Sequence, residues 1–250
     1  MDEPRTPTLT VDDGRATITL RRPTKRNRIE PDDLVAIDAH LTTIAENDAV
    51  RVVVIAAEGT VWCAGYHLGA LAEGAATRVS FADVCDRIET LAVPTIAAMS
   101  GEVHGGGTDL GVSCDLRIGI TATVLGMPAA RIGLQYYPGG LRRFVQRVGA
   151  SATKRIFLTG ERIAAAELLR IGYLNEVVEP DQLGTRIDEL CAAIAGLAPG
   201  AVASTKWAIN ELAGNDPDLE RIHKAAASSA RSAEHREGLA ALAERRPAKW

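Results

Sequence analysis

The three consecutive glycines Gly105-Gly106-Gly107 constrain this chain more than any other feature, because they fall where an apolar run ends and a helical one begins. Before them, Ala92-Val93-Pro94-Thr95-Ile96-Ala97-Ala98-Met99 reads as a short buried strand; after them, Thr108 to Cys114 reads as a helix. Glycines at a helix start let a ligand approach the main chain, and the unpaired N–H groups of the first turn favour negative charge. A tight turn that merely needs positive φ is the competing reading.

A second junction lies upstream. Arg51-Val52-Val53-Val54-Ile55-Ala56-Ala57 is rich in β-branched residues and predicts a buried parallel strand. Glu58-Gly59-Thr60 then leads into Val61-Trp62-Cys63-Ala64-Gly65-Tyr66-His67-Leu68, a turn entering a helix. Two such junctions on neighbouring strands could each aim one N–H at the same carbonyl oxygen, and an oxyanion hole needs that convergence.

These residues carry a family resemblance. Val61 to Leu68 resembles the F-C-A-G-A-D-L segment of the crotonase (enoyl-CoA hydratase/isomerase) superfamily, and His104 to Asp109 resembles its G-G-G-x-E segment. Arg22-Pro23-Thr24-Lys25-Arg26-Asn27 is similar to the family's R-P-x-x-R-N, and Cys114-Asp115-Leu116-Arg117-Ile118 to its C-D-L-R-I strand. Leu158-Thr159-Gly160 through Gly172-Tyr173-Leu174-Asn175-Glu176-Val177-Val178 resembles L-T-G…G-L-V-N-E-V-V. Each piece is short, but their order spans nearly all 250 residues.

Residue patterns are compatible with that resemblance. Thr8 to Val11 and Ala16 to Leu20 predict a hairpin around Asp12-Asp13-Gly14; Pro31 opens a helix whose Leu34, Ile37, Leu41 and Ile44 share one face. Helices are expected from Ala150 to Gly160 and from Ile163 to Gly172, then a short strand at Asn175 to Val178. Leu183 to Arg245 is alanine-rich and helical, broken at Pro199-Gly200 and at Gly214-Asn215-Asp216-Pro217. The pattern is α/β followed by helices only. The resemblance implies a spiral of ββα units over residues 1–195 and a helical C-terminal region over 196–250 that builds homotrimers or dimers of trimers.

Composition narrows the function classes. A formal charge of −4 and the absence of a basic run argue against a nucleic-acid partner. Met1-Asp2-Glu3-Pro4-Arg5 lacks signal-peptide character and no apolar stretch suffices for a bilayer span, so a cytoplasmic protein without membrane partners is expected. Cys63, Cys85, Cys114 and Cys191 have no CxxC spacing and read as reduced, buried thiols. His40, His67, His104, His223 and His235 show no metal-ligand spacing. Ala98-Met99-Ser100-Gly101 lacks the first glycine of a G-x-S-x-G elbow, and neither a dinucleotide fingerprint nor a P-loop occurs.

The resemblance implies acyl-CoA chemistry: a thioester carbonyl is polarised and its enolate stabilised, with coenzyme A part of the substrate and no separate cofactor or metal. By motif position the oxyanion N–H groups are those of Tyr66 and Gly106, with Ala64, His67, Leu68 and Gly105 around the substrate and Lys25 and Arg26 facing the CoA phosphates. Competing structural readings are a packed Tyr66 ring, a solvent-facing or helix-start His67 and a solvated basic turn at Lys25-Arg26. Family hydratases place two glutamates around one water. Here the first position is Asp109 and the second is Ala129, which cannot transfer a proton, so two-carboxylate hydration or isomerisation is not expected.

Asp109, in a helix's first turn, is favoured in its ionised form, either as a base or electrostatic element or as a cap for free N–H groups. Gly133 to Arg143 resembles the family's G-x-x-P-G-x-G-G-T-Q-R loop, where Tyr136 aligns with the tyrosine of the methylmalonyl-CoA decarboxylase type, although core packing explains an aromatic there equally. Asp115 reads as structural. An acyl-CoA-transforming enzyme, a decarboxylase-like or hydrolase-like variant, and a non-catalytic CoA-binding member all stay open.

Overall fold

The computed structural model describes residues 5–72 and 78–250. Strands β1 (Arg5–Asp12) and β2 (Arg15–Arg21) form the expected hairpin, with Asp13 and Gly14 at positive φ. Helix α1 (Pro31–Ala45) starts at Pro31 and buries Leu34, Ile37, Leu41 and Ile44.

The chain then alternates between two sheets. Strand β3 (Val52–Ala57) enters the first, and β4 (Val61–Cys63) enters the second. Helices α2 (Leu68–Ala72) and α3 (Phe81–Thr90) follow, the latter opened by a capping box between Ser80 and Asp83. Strands β5 (Thr95–Met99) and β6 (Glu102–His104) repeat the step and lead into α4 (Gly106–Val112). Strands β7 (Leu116–Ile120) and β8 (Val124–Gly126) repeat it again and lead into α5 (Pro138–Thr159), which kinks at Gly149, where φ is 78°. Strand β9 (Arg162–Ala164), α6 (Ala165–Arg170) and β10 (Glu176–Val178) complete the sheets. This is the expected ββα spiral.

The six-stranded sheet has the order β1-β2-β3-β5-β7-β10 and is parallel from β2 to β10; the four-stranded sheet has the order β4-β6-β8-β9. Helix α7 (Leu183–Ala195) covers one face of the large sheet, where Ile187 and Cys191 meet Val52, Val54, Ile96 and Ile118. Val53, Ile55 and Ala97 point to the other face and the main core. Coverage on both faces explains why Val52 to Ile55 is a continuous apolar run rather than an alternating one.

Helices α8 (Pro199–Leu212), α9 (Leu219–Ser229) and α10 (Ala233–Glu244) finish the chain. Pro199 opens α8 as its first residue, so this break is also a start. Lys206 of α8 reaches Asp115 at 2.7 Å, while Asp115 also accepts from the Thr95 N–H and hydroxyl, which gives it the structural role expected. All four cysteines are free and buried. Among the described residues no single helix is long and apolar enough to cross a membrane; the segments 180–195 and 199–212 would pass only as a pair bent by 105°.

Candidate active site

Parallel pairing of β4 with β6 brings the two turn junctions together. A Cβ built on Gly65 would lie 2.8 Å from the Gly106 nitrogen, and one built on Gly106 would lie 3.3 Å from the Tyr66 nitrogen. Gly65 has φ of 89°, so a side chain there would be strained as well as crowded. Ile29 donates to the Gly65 carbonyl and accepts from the His67 N–H, a parallel bridge that leaves the N–H of Tyr66 turned away from Ile29. Gly106 is the first residue of α4, whose opening N–H groups have no partner within the helix. Among the described residues neither N–H has a protein acceptor.

These groups border a cavity of about 410 Å³. Two stretches supply most of its lining, Ala64, Tyr66, Leu68, Gly105 and Gly106 from the turn junctions and Met127, Ala129, Ile132, Leu134, Tyr136 and Tyr137 from the segment 127–137, with Phe81 and Ala82 of α3 completing it. Tyr66 and Phe81 meet at 6.0 Å between ring centroids, so the tyrosine ring is a wall of this cavity. Ala129, at the start of a short 3-10 turn, adds only a methyl group to the lining.

Asp109 does not reach the cavity. It is fully buried, and four donors converge on its carboxylate: Arg143 Nε at 2.8 Å and Nη2 at 3.2 Å, the Tyr136 hydroxyl at 3.1 Å and the Tyr137 hydroxyl at 2.5 Å. Three of these bonds fall on Oδ2 and one on Oδ1, and of the partners only Tyr136 and Tyr137 line the cavity. Asp109 can therefore act on a ligand only through the tyrosines. Arg143 is also fully buried; its Nη1 donates to Asp86 at 2.5 Å and its Nη2 to the Tyr137 oxygen at 2.6 Å. Burial alone would lower the Arg143 pKa, but the bond and charge of Asp109 outweigh it and the net direction is upward. Burial, then the neighbouring Asp109 and Cys85, holds both phenols above their ordinary range, so both stay protonated. Gly140 packs against this group: any Cβ would collide with the Tyr136 ring and lie 2.7 Å from Asp109 Oδ2.

The enoyl-CoA hydratase/isomerase family profile matches residues 10–250. The chain belongs to this family. It is 33% identical over 201 residues to a short-chain-enoyl-CoA hydratase of Clostridium acetobutylicum, with 78% of this chain and 77% of that protein covered. It is 28% identical to a crotonyl-CoA hydratase of Syntrophomonas wolfei, with 94% of both covered. A crystal structure of an enoyl-CoA hydratase from Bacillus anthracis superposes with a TM-score of 0.87 at 27% identity, covering 98% of this chain and 99% of that one.

Within this family member, the positions named from motifs fall into two groups. Ala64, Tyr66, Leu68, Gly105, Gly106 and Tyr136 line the one cavity. Lys25, Arg26 and His67 do not. Lys25 is exposed on a 3-10 turn, Arg26 pairs with Glu102 at 2.7 Å, and His67 Nδ1 lies 2.8 Å from Glu30. Asn27, buried at positive φ, holds the Glu58 and Val61 carbonyls at 2.7 Å and so fixes the basic turn onto the β3–β4 junction. Tyr137, Arg143 and Phe81 were not singled out from the sequence. The signal for Arg143 is faint: an arginine on the apolar face of α5, which starts at Pro138 and turns the second half of the expected loop into helix.

Proposed function

We propose that this protein is an acyl-CoA-transforming enzyme that holds a thioester carbonyl between the N–H groups of Tyr66 and Gly106 and stabilises the enolate. What supports this reading is the closeness of the two junctions, with the Tyr66 and Gly106 nitrogens lacking a protein acceptor, at the edge of a mostly apolar cavity. Such preorganised donors typically contribute about 10²–10³ in rate each. Tyr136, which also lines the cavity, is the side chain we assign to the reacting carbons. Asp109 is a positioning residue behind it, paired with Arg143 and fixing the phenol's orientation. Coenzyme A enters as part of the substrate, and Lys25, Arg26 and His67 would meet its outer portions only beyond the described cavity. A homotrimer or dimer of trimers in the cytoplasm accords with this reading, since Leu212, Leu219, Leu239 and Leu242 of the C-terminal helices are more than half exposed.

The test is exchange of the α-protons of a saturated acyl-CoA in heavy water, followed by proton NMR. Wild type should catalyse exchange and Gly106→Val should abolish it, since the new side chain would press on Phe81 and occupy the space of the carbonyl oxygen. Circular dichroism checks that the variant is folded. A folded Gly106→Val that exchanges at the wild-type rate would count against the oxyanion assignment. The lack of any carboxylate among the described lining residues favours a second reading, a CoA-binding member without catalysis. Tight acyl-CoA binding without exchange or turnover would select it.

A further inference from the structure

The cavity that we read as the acyl site is unusual in its charges. Among the described residues lining it there is no Asp, Glu, Lys, Arg or His; its polar side chains are Ser80, Gln135 and the three tyrosines. The nearest buried cation is Arg143, and it has nothing to spare. Its Nε is committed to Asp109, its Nη1 to Asp86 with Glu89 at 3.6 Å, and its Nη2 to Tyr137 and Asp109. Both tyrosine hydroxyls of this wall donate to Asp109 Oδ2, so what their oxygens can still offer a ligand is a lone pair.

We propose that this chamber selects acyl groups bearing no negative charge and rejects thioesters of dicarboxylic acids. The inference rests on the reading that the cavity holds the acyl part of a CoA thioester. A carboxylate entering it would lose its water, gain no cation and face phenol oxygens whose protons point elsewhere. An alkyl or alkenyl chain meets Leu68, Phe81, Met127, Ile132 and Leu134 and is favoured by area alone.

Isothermal titration of the full-length protein with butyryl-CoA, succinyl-CoA, the methyl ester of succinyl-CoA and free CoA tests this. The first two share a four-carbon chain and differ by a terminal methyl or carboxylate. Buffer of about 0.15 M salt keeps the protein's overall negative charge from deciding the result. Butyryl-CoA should bind more tightly than succinyl-CoA by roughly tenfold or more, with succinyl-CoA no better than free CoA and the methyl ester recovering most of the loss. Succinyl-CoA binding as well as butyryl-CoA would overturn the proposal. So would a methyl ester as weak as the acid, because size rather than charge would then be responsible. If no acyl-CoA bound at all, the functional reading would fall first and this one with it.

Discussion

The two walls of the cavity are built from different materials. The wall at Gly65-Tyr66 and Gly105-Gly106 offers main-chain N–H groups held by strand pairing, and it accepts a tyrosine and a histidine after Gly65 because the side chains do not make the site. The wall at Ala129, Tyr136 and Tyr137 offers side chains, and among the described lining residues none is a carboxylate. Backbone sites resist substitution; side-chain sites are rewritten by it. On the function proposed above, polarising the carbonyl belongs to the first wall and the particular reaction to the second.

Breaking the second wall at its support should have the largest effect. Arg143→Met strands the fully buried Asp109, and loss of one partner from a buried ion pair costs about 3–5 kcal/mol, a large share of a domain's stability. Urea unfolding followed by circular dichroism measures it, and a midpoint unchanged from wild type would mean that the Arg143–Asp109 pair does not hold the second wall together. Rebuilding the second wall comes next. Ala129→Glu should raise hydration of a short enoyl-CoA by roughly 10²-fold, the lower end for one added acid or base, seen as loss of enoyl-thioester absorbance. Adding Asp109→Glu should cancel the gain, since the longer side chain has no room beside Gly140. Efficient hydration by wild type would show that Ala129 is not the position that matters.

A smaller effect is expected with pH. The folded-state pKa values of Tyr136 and Tyr137 lie above those of the unfolded chain, so their contribution is complete below about pH 10 and is lost as pH rises beyond it. Tyr136→Phe and Tyr137→Phe should each flatten the alkaline fall in unfolding free energy. An unchanged slope would mean that the phenols titrate freely. The smallest effect belongs to the first wall: Tyr66→Ala removes a ring but not an N–H, so α-proton exchange should persist within a few-fold. Longer acyl chains should gain relative to short ones as the ring's space opens, measured as ratios of kcat/KM, at most about 0.8 kcal/mol for each methylene newly buried.

The large sheet was legible because its strands are long apolar or β-branched runs, and α1 because its buried positions repeat at helical spacing. The small sheet was not. Glu102–His104, Val124–Gly126 and Arg162–Ala164 have three residues each, too few for a period to show, and their pairing joins distant segments. The glycine run announced a close backbone approach at Gly106; the Tyr66 nitrogen near it was named through the family motif and not by the run itself. Asp109 was visible as a helix-start carboxylate, while the partners that fill its lone pairs lie 27 to 34 residues further on. No local pattern encodes such a meeting. Arg26 and His67 illustrate the converse: motif position named them for a ligand, and the Glu102 and Glu30 carboxylates that pair with them are set by the fold rather than by the motif.

For anyone engineering this chain, Gly140 sets a trap. It sits inside a helix, where exchanging glycine for alanine is a routine stabilising change worth up to about 1 kcal/mol. Here the added methyl would land on the Tyr136 ring and the Asp109 carboxylate. A design scheme scoring helix propensity alone would choose the substitution that pushes the second wall out of place. The useful property of this position is an absence of atoms, and it should be held fixed in any library built on this scaffold.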